Sequence, residues 1–146
     1  MKLTRRVLHL PAKPVQFGYP AQNLQLERNL LGFMRQEKGI GLAAPQVGIR
    51  SRVFVMEIDD RSRACFNPEI QKTSDDLVEF NEGCLSFQGD QCILIRPGEI
   101  WAKYQDHQGQ WISEYLTGLE ARCFQHELDH LDGITMWDRY KEQNAE

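Results

Sequence analysis

Residues 123 to 133 read Cys-Phe-Gln-His-Glu-Leu-Asp-His-Leu-Asp-Gly and contain the pattern His-Glu-x-x-His. The run from Thr117 reads as a helix, with Thr117 as its cap, Glu120 three residues on, and Gly133 as its end. On a helix, His126 and His130 stand one turn apart on one face, where two imidazoles can hold one ion. Glu127 lies between them, able to reach a water on that ion without being a ligand. This is the arrangement of a metal hydrolase. A structural pair of histidines is the alternative, but composition alone seldom produces this triplet. Two ligands are too few, since a catalytic ion takes three protein ligands and keeps an open position. No histidine follows His130, and Glu142 and Glu146 belong to a terminus expected to fray. The third ligand is therefore sought upstream, among His9, His107 and the cysteines. Cys84 stands out because a strand runs up to it and Gly83 allows close backbone approach. The choice stays open on these grounds.

Composition bounds the rest. A chain of 146 residues with 41% hydrophobic and 26% charged residues predicts one soluble domain with a real core. The net charge of −4 and the lack of a basic stripe argue against nucleic-acid binding. Nothing approaches the roughly 20 apolar residues of a membrane span. The run after Arg5 and Arg6 is too short and too proline-broken for a secretory leader. A cytoplasmic location follows as the default. Cys65, Cys84, Cys92 and Cys123 are irregularly spaced and read as reduced thiols; Cys65 and Cys92 read as core filler.

The chain is Pro-rich and irregular to about Tyr19. Residues 21 to 38 form an amphipathic helix with Asn23 as its cap, and residues 39 to 50 a Gly/Pro-punctuated loop. Strands are expected at 51–58, 64–71, 75–80, 91–97, 99–106 and 110–116. Strands grouped between two helices give an α+β fold with mostly antiparallel sheet. Gly39, Gly41 and Ala44 also satisfy a dinucleotide-binding spacing. A helix precedes them and a strand follows, which is the reverse of what that motif requires, so the nucleotide reading fails.

Three separated motifs resemble the peptide deformylase family: Gly39-Ile-Gly-Leu-Ala-Ala-Pro-Gln-Val-Gly48, Glu82-Gly-Cys-Leu-Ser86, and Gln125-His-Glu-Leu-Asp-His-Leu-Asp-Gly133. The resemblance runs from about Leu8 to Tyr140. It implies a single catalytic domain over residues 1–146, with antiparallel sheets packed around a C-terminal metal-binding helix and a second, N-terminal helix. It implies removal of the formyl group from the N-terminal methionine of new polypeptides. It makes Cys84 the third ligand beside His126 and His130, Glu127 the proton carrier, and the Gln46 side-chain amide and Leu85 N–H the oxyanion donors. The ion it implies is Fe2+, with Ni2+, Co2+ or Zn2+ as alternatives. Substrate backbone is expected to pair with a strand edge near Gly39, Ile40 and Gly41 and with the segment after Cys84. Ile40, Leu85, Cys123 and Phe124 are candidate walls of the methionine pocket, with His126 at its floor; for Ile40, Cys123 and Phe124 core packing is the equal alternative. Glu82 is placed in the substrate-binding set; paired with Arg96, it either stands behind the site or, by default, forms an exposed ion pair.

The chain departs from the family at Gln88, where proline is usual, which predicts a looser turn after Cys84, and at Gln91, where many members carry an arginine. Only residues 131 to 146 follow His130, as in short forms without the long C-terminal helix. The expected partners are N-formylmethionyl peptides and nascent chains, with no nucleic acid and no membrane; ribosome docking is not expected. A monomer is expected. The competing readings are a metallo-amidase or peptidase with another substrate, and a metal-stabilised peptide binder without turnover.

Overall fold

A computed structural model describes residues 1–145. Glu146, a possible ligand by sequence, lies outside them. The first helix, α1, spans Pro20–Gln36. It starts at Pro20, whose fixed φ and missing N–H suit the first helical position, and Tyr19 is the cap. Asn23, expected as the cap, instead donates from Nδ2 to the carbonyls of Gln16 and His107, at 3.1 and 3.3 Å. Of the apolar residues on α1, Leu30, Phe33 and Met34 are buried.

The expected loop after α1 is more ordered than its glycines and proline suggest. It holds a short strand, β1 (Gly41–Ala43), and a 3-10 turn, Ala44–Val47. The six longer strands form where expected: β2 (Val53–Ile58), β3 (Arg61–Thr73), β4 (Leu77–Gly83), β5 (Gln91–Pro97), β6 (Glu99–Gln105) and β7 (Trp111–Thr117). They make a five-stranded sheet, β1-β2-β3-β6-β7, and a separate β4-β5 hairpin. Every paired neighbour is antiparallel.

β2 is apolar almost throughout because both its faces are covered. Val53 and Val55 pack toward α1 with Leu30, Phe33 and Met34. Phe54 and Met56 pack on the other face with Ala121, Phe124 and Leu131 of helix α2 (Gly118–Leu131). Phe54 and Phe124 meet edge to face at 5.0 Å. α2 therefore runs beneath the sheet with most of its residues buried, a position that turns a helical ligand pair into an interior site.

Thr117 caps α2 by position, yet its side chain makes no capping bond, and Glu120 pairs with Arg63 instead of closing a capping box. The helix ends as expected before Gly133, which has φ of 76°. A Cβ there would lie 2.8 Å from the His9 carbonyl, so two requirements select glycine. A further helix follows where a frayed terminus is expected. Met136–Gln143 form α3, started by a capping box between Thr135 and Asp138. The metal-binding helix is thus followed by one more, which buries Met136 against Cys92 and Leu94 under the hairpin. Among the described residues no helix is long and apolar enough to cross a membrane.

A polar cluster ties β3 to β6 and β7 within the sheet. Arg63 donates to both carboxylate oxygens of Glu114 at 3.1 and 3.0 Å, and the Tyr104 hydroxyl donates to the same carboxylate. Burial alone would raise the Glu114 carboxyl, but these two partners hold it below its ordinary value. A carboxyl lowered on folding stabilises the fold above its unfolded pKa and loses that contribution as pH falls through the folded one. Glu114→Gln is expected to cost about 1.5–3 kcal/mol at pH 7. Urea unfolding should show the gap from the parent protein narrowing as pH drops below 4, in the range of an ordinary carboxylate.

Candidate active site

α2 delivers His126 and His130 from one face, with ring centroids 5.0 Å apart. Cys84 follows β4 in extended conformation, just ahead of the 3-10 turn Leu85–Phe87. Its Sγ lies 3.4 Å from His130 Nε2. Two ligands of a tetrahedral centre with bonds of roughly 2.3 and 2.1 Å would sit about 3.6 Å apart. One ligand atom from each of Cys84, His126 and His130 falls within 4.8 Å of the others. His126 turns Nδ1 to the Glu82 carboxylate at 2.8 Å, which leaves Nε2 for the ion. Burial opposes charge on His126, yet hydrogen bonds to Cys84 and Glu82 raise its pKa to about 10. Burial and the charge on His126 push His130 well down. One thiol and two imidazoles within reach of one another fit a soft or borderline divalent cation. His9 is exposed and His107 pairs with Glu27 at 3.9 Å, so neither competes with Cys84. Gly83 is not sterically required, since a Cβ there would meet nothing closer than 3.9 Å.

Glu82 corrects two expectations. It is buried, and its oxygens are occupied. Arg96 donates to both at 2.6 and 3.1 Å, Arg122 donates to Oε2 at 2.9 Å, and His126 takes Oε1. It is neither an exposed ion pair nor a free group for substrate, but the support that orients His126. Burial would raise its carboxyl; His126 and Arg96 hold it far below the usual carboxylate range. Asp129 accepts from Arg96 and from Arg139 of α3.

Arg122 is missing from the sequence reading. Its guanidinium also donates to the carbonyls of Leu94 and Val78, at 3.2 and 2.6 Å. The signal was its place four residues before His126, on the same helical face. Arg122→Leu keeps an apolar wall but frees one side of Glu82. Divalent metal affinity is expected to fall about 10-fold or more, read by competition with a chelator.

Glu127 is buried, and its Oε1 has no hydrogen-bond partner among the described residues. Burial raises its carboxyl to about 7, against the pull of His126. Gln46 is also buried. Its Oε1 accepts from the Ala43 N–H at 2.8 Å, which fixes the amide orientation. Its Nε2 then donates to the Ser86 hydroxyl at 3.0 Å and faces Cys84 Sγ at 3.5 Å. Metal ligands, an unpaired carboxylate and a fixed amide donor therefore converge on one cleft.

Comparison with known proteins identifies the family. The family model for polypeptide deformylase matches residues 1–146. This chain belongs to that family. The peptide deformylase of Thermotoga neapolitana is 42% identical over 135 residues, which cover 92% of this chain and 82% of that protein. The crystal structure of the Thermotoga maritima deformylase superposes with a TM-score of 0.87 at 41% identity, covering 91% of this chain and 90% of that one. A Synechococcus elongatus deformylase in complex with actinonin gives 0.87 at 40% identity, covering 94% and 75%.

The deformylase cleft has a volume of about 410 Å³. Gly39, Ile40, Gly41, Leu85, Cys123 and His126 all line it, as expected. β1 pairs with β2 along one edge only, so its other edge is available to an extended peptide. Burial pushes the Cys123 thiol well above its ordinary value, making it an apolar wall. Phe124 does not join the pocket, because it packs in the core against Phe54. The turn after Cys84 is closed despite Gln88: Phe87 N–H donates to the Cys84 carbonyl at 2.9 Å and Asp90 N–H to the Phe87 carbonyl at 3.0 Å. Gln91 lies at the cleft wall.

Proposed function

We propose that Glu127, Gln46 and the Leu85 N–H carry out deformylation beside one divalent ion held by Cys84, His126 and His130. The enzyme is a hydrolase that removes the N-formyl group from the N-terminal methionine of new polypeptides and releases formate. The observation that carries the residue assignment is the grouping of those three ligand atoms beside the cleft that Cys84, His126 and Glu127 line, with one Glu127 carboxylate oxygen unpaired.

The ion, when bound, supplies a Lewis acid that acidifies water and polarises the formyl carbonyl. Glu127 takes the proton of the attacking water and returns it to the leaving amine. Gln46 Nε2 and the Leu85 N–H share the negative charge that develops on the formyl oxygen. Loss of one such donor typically costs ~10²–10³ in rate. Gln46 suits this role because it donates without bringing a cation near the Cys84 thiolate. The free edge of β1 aligns the peptide backbone, and the pocket of Ile40, Leu85 and Cys123 takes the methionine side chain. Glu82 acts from behind by holding His126.

Fe2+ is the proposed ion, with Zn2+, Ni2+ or Co2+ as substitutes; thiolate-bound iron makes the enzyme oxygen-sensitive. Nascent formylated chains as substrate place it in the cytoplasm. A monomer suffices, since all of these groups come from one chain. The test is formate release from formyl-Met-Ala-Ser by protein prepared anaerobically with Fe2+ or Ni2+. Release is expected, with acetyl-Met-Ala-Ser a poor substrate. Formate no higher than with a Cys84→Ala protein would contradict the assignment.

A further inference from the structure

We infer that Arg5 is a positioning residue for the reaction: with Thr4 it ties together the two segments that carry the oxyanion donors. The inference rests on the reading of Gln46 and the Leu85 N–H as those donors. The Thr4 N–H donates to the Gln46 carbonyl at 2.9 Å. The next residue, Arg5, donates from both Nε and Nη2 to the Ser86 carbonyl, at 3.1 and 2.7 Å. Its guanidinium also lies 4.3 Å from the centre of the Phe87 ring. Gln46 Nε2 donates to the Ser86 hydroxyl, which closes a ring of contacts through Thr4, Gln46, Ser86 and Arg5.

The geometry explains why such a tie is needed. Gln46 sits in one 3-10 turn and Leu85 opens another, and short 3-10 turns have few internal bonds to hold them. The two donors are 39 positions apart in sequence (85 minus 46) and on different substructures, the five-stranded sheet and the hairpin. Beside the direct Gln46 to Ser86 bond, the N-terminal segment gives their relative placement a second tie. The N-terminal segment can serve because it is fixed to the body beyond Arg5. Leu8 is fully buried, the Ala12 N–H donates to the Leu131 carbonyl, and Lys13 bridges to Ser51.

Arg5 is an exposed side chain, and among the described residues no carboxylate pairs with it. Its fork is committed to the Ser86 carbonyl and its flat face to Phe87. An exposed side chain of this kind adds little to the core, so its removal tests alignment and not folding.

Arg5→Ala in the metal-loaded enzyme is expected to lower kcat about 10-fold, with KM changed less than about twofold, because a small misplacement of donors is felt in the transition state. Arg5→Lys should recover part of the loss, since an ammonium can reach the carbonyl but cannot fork or stack. Amide hydrogen exchange should quicken across residues 84–88 in Arg5→Ala. In a double-mutant cycle, Gln46→Ala should cost less in the Arg5→Ala background than in the parent. An unchanged kcat, unchanged exchange at 84–88, or losses that simply multiply would overturn the role of Arg5. The two readings separate cleanly. If Gln46→Ala leaves kcat intact, the donor assignment falls and takes the Arg5 inference with it. If Gln46→Ala is crippling and Arg5→Ala is not, only the Arg5 inference falls.

Discussion

Replacing Gly41 with alanine is expected to lower kcat/KM about 100-fold or more while leaving the fold and the metal content intact. A Cβ at this position would lie 2.6 Å from Glu127 Oε2 and 2.7 Å from Cys123 Sγ. Neither contact is tolerable, so a neighbouring side chain must shift. Both side chains sit on α2, which is buried against β1 and β2. The cheapest relief is rotation of the Glu127 carboxylate, which takes the proton carrier away from the water it must meet. β1 keeps its pairing of Gly41 with Met56, so the sheet itself need not change. Steady-state kinetics with metal analysis on the same preparation would check this. A Gly41→Ala enzyme with parental kcat/KM would show that Glu127 does not need this placement.

Glu127→Gln is expected to reduce kcat by about 10²–10⁴-fold, the usual worth of a general base and acid. No substitute is at hand. Glu82 is bonded to two arginines and a histidine, and Asp129 to Arg96 and Arg139. The same change should not destabilise the protein. A buried carboxylate with an oxygen left unpartnered costs free energy on folding, and a neutral amide of the same shape relieves the charge. Equal or higher stability in urea, with catalysis lost, would identify Glu127 as a group kept for chemistry at the expense of stability. Lower stability and retained turnover would reverse that assignment.

What the sequence makes legible follows the range of the physics involved. His126, Glu127 and His130 are legible because helical spacing fixes their mutual placement locally. The six longer strands are legible because their apolar runs and turns are local too. The ligand Cys84 is 42 positions before His126 (126 minus 84), and no periodicity joins them; resemblance selected it, and the Sγ to Nε2 distance agrees. Arg122, Ser86 and Arg5 escape a sequence reading because each acts through bonds to distant segments, among them those to Glu82, Gln46 and Ser86 respectively. β1 reads as loop because three residues flanked by glycine and proline become a strand only by pairing with β2. α3 was within reach of local rules: Thr135 and Asp138 have the spacing of a capping box, which the expectation of a frayed terminus overlooks. Asn23 misleads as a cap because Pro20 offers a better start three residues earlier.

The metal centre is tested most directly by anaerobic titration with Co2+, followed by absorption spectroscopy. Uptake of about one equivalent is expected, with a thiolate-to-cobalt charge-transfer band in the near ultraviolet that disappears in Cys84→Ser. A band that survives in Cys84→Ser, or no band and no uptake in the parent protein, would contradict the Cys84, His126 and His130 site.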